Sequence, residues 1–196
     1  MCCYLLMNTH KILADNILKR ASKENEYLID RKKFMWGNIK PDYVSKYKLK
    51  KHYYNESIDM ILCKIKFLSS LSENEVLYVY GKKKFSAELG VVCHFLCDYF
   101  CLAHNRRWRF KDNFKRHVSY EKRLAKYAKD FNFKSSVCSF LEINNIKKFI
   151  DDNIKSYEEN IELRNDLDYA SFVCSSIVGA VLSQIEKNNL QERKIS

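Results

Sequence analysis

The stretch GVVCHFLCDYFCLAH, residues 90–104, lies in the most apolar segment of the chain. Apolar side chains occupy most positions of residues 83–103, which predicts a long helix buried on nearly all sides. His94 and Asp98 are four residues apart, so they share one face of this helix. A buried imidazole–carboxylate pair needs a compensating partner, and a metal ion is one such partner. If the helix continues to His104, that ring points about 80° away from His94, and all three side chains are expected to face one region.

The rest of the chain also favours helices. Its 196 residues include only four Gly and one Pro, which is few for the tight turns of a β-sandwich or barrel. We expect an all-α fold, a single compact multi-helix domain over residues 1–196 with a frayed tail at 188–196. Ser72 and Glu75 have capping-box spacing and open a further short segment. The predicted helices cover residues 8–23, 27–35, 55–68, 83–103, 112–131, 141–163 and 166–187, with a loop at 36–42.

The charge balance points to anionic partners. The formal net charge is +11, which suits phospholipid headgroups, nucleic acid or other phosphates, although a lysine-rich proteome explains it equally well. The charge is locally dense only at residues 46–51 and 106–111. No export signal and no run of roughly 20 apolar residues is found, so a cytoplasmic location is expected.

The eight cysteines are predicted to be free thiols, because disulfides persist in oxidising compartments. Cys93, Cys97 and Cys101 recur every four residues on one helical face. That spacing favours small buried core residues, with metal binding as the alternative.

The five histidines of the chain supply further metal-ligand candidates. His117 and Glu121 repeat the spacing of His94 and Asp98. Taken singly, each pair is more typical of a hydrogen-bonded pair, and His10 and His52 are more typical of surface or capping residues. Imidazole with carboxylate nevertheless suits zinc, and a hydrolytic zinc site keeps one position for water.

Short motifs follow one another in a fixed order along residues 8–125: Thr9-His10, Pro41-Asp42-Tyr43, His52-Tyr53, His94-Phe-Leu-Cys-Asp98, Ala103-His104 and His117-Val-Ser-Tyr120-Glu121. In this order they resemble the bacterial zinc-dependent phospholipase C family. The hallmark of that family is a Gly shortly before His-aromatic-x-x-Asp, a further His six residues on, and then His-x-x-Tyr-Glu. All five histidines fall on metal-ligand positions of the family.

The resemblance implies an all-helical zinc hydrolase with two or three zinc ions and a phospholipid substrate. The resemblance further implies that Asp42 acts as general base and that Tyr43 lies near the headgroup of a choline lipid. Family members are normally exported and use an N-terminal Trp in the third zinc site. This chain shows neither feature, so its third site is expected to be weak or empty. No acidic residue precedes His10, which leaves choline specificity unsupported. The implied ligands are Asp42, His52, His94 and Asp98 for one zinc, His104, His117 and Glu121 for a second, and His10 with the bridging Asp98 for a third.

Three functions remain open on the sequence. The first is a phospholipase C that contacts membrane surfaces and needs no obligate protein partner. The second is a zinc-dependent single-strand nuclease or nucleotidase of the same architecture, which the positive charge also suits. The third is a zinc-stabilised lipid-binding protein without catalysis, in which every metal position would be closed.

Overall fold

Helices form all the regular structure that the computed structural model describes, which comprises residues 3–20, 23–44, 52–108, 110–134, 136–138 and 140–195. No strand occurs among these residues, so the predicted all-α class is confirmed. The elements are α1 (Cys3–Arg20), α2 (Arg31–Gly37), α3 (Lys40–Tyr43), α4 (Tyr54–Ser70), α5 (Lys82–Tyr99), α6 (Leu102–Asn105), α7 (Phe110–Lys129), α8 (Ile146–Glu159) and α9 (Leu163–Ile195), with 3₁₀ turns at Lys23–Leu28 and Ile143–Asn145 and a π-helical turn at Glu75–Val79.

Helix α5 is the centre of the fold. Every side chain from residue 89 to 99 is buried, and the helix contacts α2, α4 and α9. Burying one large aliphatic or aromatic side chain contributes roughly 1.5–3 kcal/mol, so this helix anchors the packing of its neighbours. The prediction of a central, buried helix is confirmed.

A close crossing of α2 and α5 depends on two glycines. A Cβ at Gly37 would lie 2.1 Å from the Ala87 carbonyl oxygen, and a Cβ at Gly90 would lie 2.3 Å from the Phe34 carbonyl oxygen. Any larger residue would therefore push the two backbones apart. The crossing brings the segment after α2, which carries Asn38 and Asp42, against the middle of α5.

The predicted loop at residues 36–42 is largely wrong. Trp36 and Gly37 form the end of α2, and Pro41 and Asp42 lie in α3. Proline is compatible with helix here because it occupies the first turn, where its missing N–H is not needed. Asp30 caps the start of α2 by accepting a hydrogen bond from the Lys33 N–H at 2.9 Å.

The predicted helix at residues 83–103 is interrupted. Helix α5 ends at Tyr99, Cys101 has extended backbone, and α6 begins at Leu102. The Leu102 N–H, which starts α6, donates to the Asp166 carboxylate at 3.2 Å. This acceptor lies on α9 and satisfies one of the N–H groups that a helix start leaves without a partner.

The start of one further helix differs from the prediction, and a predicted capping box is confirmed. Helix α4 begins at Tyr54, with Tyr53 as its cap, one residue before the predicted start at residue 55. The Ser72 and Glu75 capping box is confirmed, with the Ser72 N–H donating to Glu75 Oε2 at 2.8 Å and the Glu75 N–H to Ser72 Oγ at 3.4 Å. The basic patch at residues 46–51 lies outside the described residues.

Helix α9 continues to Ile195 rather than ending near residue 187 as predicted. The Asn188 side chain donates to the Ser69 and Leu71 carbonyl oxygens at 2.9 and 3.0 Å. These two carbonyls lie at the C-terminal end of α4. The segment Leu163–Gln191 is long and apolar enough to cross a membrane, but 67% of its apolar window is buried within the structure. Core helices pass the same test, so it is weak evidence for a membrane span.

Candidate metal centre

A cavity of 280 Å³ lies between α1, α3, the helices from α5 to α7, and α9. Its floor is apolar and includes Leu13, Leu124 and Leu167, and its polar wall is formed by histidines and carboxylates. Seven of the eight candidate ligands line the cavity, and His94 lies fully buried behind them. The seven are His10, Asp42, His52, Asp98, His104, His117 and Glu121.

The candidate ligands form three groups within the described residues. In each group the nitrogen and oxygen atoms that could bind a metal lie within 4.8 Å of one another. The groups are His10, His94 and Asp98; Asp42, His52 and His94; and His104, His117 and Glu121. The structure therefore brings together residues that are spread from position 10 to position 121.

Asp98 connects the three groups because its two carboxylate oxygens face different imidazoles. Oδ1 lies 3.3 Å from His10 Nε2 and 3.8 Å from His104 Nε2. Oδ2 lies 2.8 Å from His52 Nδ1 and 3.3 Å from His94 Nε2. A carboxylate in this position can contact two metal ions at once.

His94 is oriented by the crossing of α2 and α5. Its Nδ1–H donates to the Asn38 carbonyl oxygen at 2.8 Å. The proton on Nδ1 leaves the lone pair of Nε2 directed at the centre, where Asp42 Oδ1 lies at 3.6 Å. Fixing a ligand imidazole through its other nitrogen is the usual arrangement at metal sites.

His117 is fixed in the same way in the third group. Its Nδ1–H donates to the Trp108 carbonyl oxygen at 3.2 Å, and its Nε2 lies 2.9 Å from Glu121 Oε1. His104 Nε2 lies 3.3 Å from the same oxygen. The second oxygen, Glu121 Oε2, is buried without a hydrogen-bond partner. A buried carboxylate oxygen without a partner is costly unless a cation compensates it.

The electrostatics of the cluster favour ionised carboxylates. Burial alone would raise the pKa of Asp98, yet the facing imidazoles of His104 and His94 hold that pKa well below its usual range. Burial also opposes the shift at Glu121, where the two imidazoles of its group lower the pKa. In return, and against the lowering effect of burial, Asp98 and Glu121 raise the pKa of His104. The carboxylates therefore create a negative environment that attracts cations.

The donor set fits zinc. Tetrahedral nitrogen and oxygen ligands about 2.1 Å from a zinc ion lie roughly 3.4 Å from one another. The contacts between imidazole nitrogen and carboxylate oxygen in the cluster run from 2.8 Å between His52 and Asp98 to 3.9 Å between His52 and Asp42. Imidazole and carboxylate are the ligand types of hydrolytic zinc sites. The partnerless Glu121 Oε2 and His10 Nδ1 add buried polar atoms that the protein alone does not satisfy.

Other residues lie elsewhere than the sequence suggests. Tyr43 is not among the cavity-lining residues: its ring stacks on Trp36 with centroids 6.4 Å apart, and its hydroxyl contacts Met7 Sδ. Its contact with a headgroup stays a prediction. Cys97 Sγ lies 3.7 Å from Cys174 Sγ, and none of the cysteines that the structure describes joins a metal-ligand group.

Sequence reasoning missed the groups that orient the ligands. The Asn38 and Trp108 carbonyls are backbone atoms, which no residue-type pattern reveals. Asp166 is also missed, although it lines the cavity. Only its isolated position at the start of an apolar helix could have drawn attention to it.

Comparison with known proteins gives one match. A family model described as zinc dependent phospholipase C matches residues 9–166. No curated protein and no solved structure matches the chain. The match spans every candidate ligand and ends at Asp166.

Proposed function

The chain belongs to the zinc-dependent phospholipase C family, and we propose that it hydrolyses the bond between glycerol and phosphate in a phospholipid. The products would be diacylglycerol and a phosphorylated headgroup. The observation that carries this proposal is the convergence of the three ligand groups around Asp98 on one cavity wall.

The proposed ligand scheme follows the three groups. Zinc, when bound, polarises phosphate oxygens and makes a neighbouring water more acidic. The geometry is compatible with two or three ions. Asp42, His52, His94 and Asp98 would hold one ion, His104, His117 and Glu121 a second, and His10 with Asp98 a third.

Asp42 is the proposed general base. Its side chain retains 19% exposure, whereas that of Asp98 retains 4%, so Asp42 is the more accessible carboxylate of its group. Asp42 accepts the proton of the attacking water while the new oxygen–phosphorus bond forms. The bond from phosphorus to the glycerol oxygen breaks, and that oxygen takes up a proton from the solvent and leaves as diacylglycerol, while Asp42 returns its proton to the solvent. Moving one proton to a positioned carboxylate contributes roughly 10²–10⁴-fold to the rate.

The size of the cavity indicates which part of a lipid enters. At 280 Å³ it is slightly smaller than the roughly 300–1,000 Å³ of drug-sized ligand pockets. A phosphorylated headgroup is small enough for such a space, whereas two acyl chains are not. The acyl chains would therefore remain in the membrane or micelle while the phosphate reaches the centre.

The first test combines zinc content with activity. We expect elemental analysis to find two or three zinc ions per purified chain. Release of phosphorylated headgroup from phospholipid micelles should stop on chelation and return with zinc. His94→Ala and Glu121→Ala should each lower zinc content and reduce hydrolysis by more than about 100-fold, because a lost ligand costs more than the 10–100-fold of a lost supporting group.

The matched control is Asp152→Asn, which removes a carboxylate that is 51% exposed and lies outside the cavity. It should retain zinc and activity. Full hydrolysis with zinc removed would contradict the proposal. Cleavage of single-stranded nucleic acid in place of phospholipid would identify the chain as a nuclease of the same architecture. Tightly bound zinc without turnover of either substrate would indicate a non-catalytic role.

A further inference from the structure

Two arginines pack on aromatic side chains that line the cavity. The Arg107 guanidinium carbon lies 5.7 Å from the centre of the Tyr53 ring, and that of Arg116 lies 4.0 Å from the centre of the Trp108 ring. Tyr53 and Trp108 both line the cavity. Both arginines are exposed, so their guanidinium groups remain accessible to a ligand that enters beside these rings.

Arg107 has an unusual backbone conformation. Its φ is +49°, and it is the one non-glycine residue with positive φ in the described part of the chain. The Trp108 N–H donates to the Ala103 carbonyl at 2.9 Å, and the Arg107 N–H donates to the His104 carbonyl at 3.0 Å. These two bonds form a Schellman motif at the end of α6, in which the left-handed position is usually glycine.

The presence of arginine at this position therefore needs a reason. A side chain in the left-handed region is strained, and strained residues cluster at functional sites. Glycine would complete the same helix end without strain but would place no guanidinium beside Tyr53. Arg107 lines a smaller adjoining cavity of 100 Å³ together with His52, Tyr53 and His104. Its side chain therefore lies beside two of the candidate ligands.

The carboxylates near these arginines are already engaged. Those lining the cavity are Asp42, Asp98 and Glu121 of the ligand groups, together with Asp166, which accepts three hydrogen bonds. Glu158, beside Arg107, accepts a hydrogen bond from Asn105 Nδ2 at 3.0 Å. Within the described residues, both guanidinium groups contact aromatic rings that line the cavity.

Building on the hydrolase function proposed above, we propose that Arg107 and Arg116 select phospholipids whose headgroup carries no cation, such as phosphatidylglycerol, over phosphatidylcholine. A choline group next to the phosphate would lie beside two like charges. Aromatic rings attract quaternary ammonium groups, but guanidinium groups already cover the Tyr53 and Trp108 rings. A glycerol headgroup accepts hydrogen bonds from the same guanidinium groups.

The test uses short-chain lipids as monomers, so that attraction of the basic chain to a charged surface does not contribute. We expect the zinc-loaded protein to hydrolyse dihexanoyl phosphatidylglycerol with a kcat/KM about tenfold above that for dihexanoyl phosphatidylcholine. Because exposed charges interact weakly, Arg107→Gln should lower this ratio by about threefold. Arg107→Gln combined with Arg116→Gln should bring the ratio close to one. The control Arg123→Gln removes an exposed arginine of α7 that lines a different groove, and it should leave the ratio unchanged.

Arg107→Gly separates recognition from structure. Glycine suits the left-handed backbone, so the melting temperature should rise by about 2–4 °C. The preference for phosphatidylglycerol should nevertheless fall as it does in Arg107→Gln. A variant that is more stable and keeps the full preference would overturn the proposal.

Product binding distinguishes failure of this inference from failure of the proposed hydrolysis. Calorimetry should show tighter binding of glycerol phosphate than of phosphocholine to the zinc-loaded protein, with the difference reduced in Arg107→Gln. If this holds while neither lipid is cleaved, the recognition is supported and the hydrolase function is wrong. Equal hydrolysis of both lipids by the unmodified chain would overturn the preference and leave the hydrolase function in place. Cleavage of single-stranded DNA that depends on Arg107 would also overturn it.

Discussion

At the scale of single residues, Asp166 accepts hydrogen bonds from three elements around the centre. The Tyr120 and Tyr157 hydroxyls each donate at 2.7 Å, and the Leu102 N–H donates at 3.2 Å. Tyr120 precedes the candidate ligand Glu121, and Leu102 starts the short helix that carries His104. Asp166 therefore connects the two helices that carry His104 and Glu121. None of its three hydrogen bonds is to a candidate ligand. Burial raises the pKa of Asp166 to about 6, although the tyrosine hydroxyls oppose this shift.

We predict that Asp166→Asn changes how stability depends on pH. With a folded pKa of about 6 against about 3.9 unfolded, the folded chain binds a proton more readily than the unfolded chain between these values. The free energy of unfolding therefore falls as pH rises through this window, and this dependence is absent from the Asn variant. The free energy of unfolding of the unmodified protein, minus that of Asp166→Asn, should decrease by about 2–3 kcal/mol between pH 4 and pH 6.

Urea unfolding of both zinc-free proteins at several pH values measures this difference, because the titration of the shared ligands cancels in it. Above about pH 7 the difference should be constant. A difference that does not change from pH 4 to pH 7 would show that Asp166 ionises in the folded chain as it does in the unfolded chain.

At the scale of elements, the crossing of α2 and α5 determines where His94 and Asp42 meet. We predict that Gly90→Ala lowers the free energy of unfolding by about 2–3 kcal/mol, because overpacking at a backbone contact forces both helices to move. The added Cβ would lie 2.3 Å from the Phe34 carbonyl oxygen. The shift would lengthen the hydrogen bond from His94 to the Asn38 carbonyl, so zinc affinity should also fall. Thermal unfolding and zinc titration measure the two effects.

The control for this substitution is Gly179→Ala in α9. A Cβ at Gly179 would meet nothing within 4 Å, so alanine should stabilise the helix by about 0.5–1 kcal/mol and leave zinc affinity unchanged. Equal stability of Gly90→Ala and the unmodified protein would show that the crossing tolerates separation of the two helices.

The elements also show how far the sequence predicts this fold. Apolar periodicity predicts the central helix correctly, because burial of a long apolar segment is a local property. The break after Tyr99 depends on Asp166, which is 64 residues from its partner Leu102, and no local pattern contains that partner. Similarly, the end of α2 is predicted as loop because Gly37 and Pro41 usually interrupt helices. In the structure Gly37 is required by the contact with α5, and Pro41 begins a new helix.

The candidate ligands were identified from the sequence for a different reason. Their types and order along the chain carry the resemblance to the family, so the order alone places His104 with the others. The continuous helix that was expected to direct His104 toward His94 does not exist. His104 instead reaches the centre from α6, and its Nε2 lies 3.8 Å from Asp98 Oδ1. The backbone carbonyls that orient His94 and His117 could be located only once the fold was known.

At the scale of the whole molecule, the ligand groups connect elements that are distant in the chain. The candidate ligands lie on α1, α3, α5, α6 and α7, and His52 lies just before α4. Apolar packing and a few polar contacts, such as that of Lys40 with Glu88, also join these elements, and the centre adds a further polar connection between them. Metal that binds only the folded arrangement must therefore stabilise the whole chain.

We predict that zinc raises the melting temperature in proportion to the number of filled sites. A ligand at 100 times its dissociation constant adds about 2.7 kcal/mol per site, which corresponds to about 5–10 °C for one site in a domain of this size. The gain should be larger at pH 8 than at pH 6, because zinc binds deprotonated ligands and protons compete for them. Calorimetric melting of the chelated protein, repeated with stepwise addition of zinc, measures the gain. Glu121→Ala should lose one increment and retain the rest. A melting temperature that does not respond to zinc would contradict a metal centre, because zinc that binds the folded chain alone has to stabilise it.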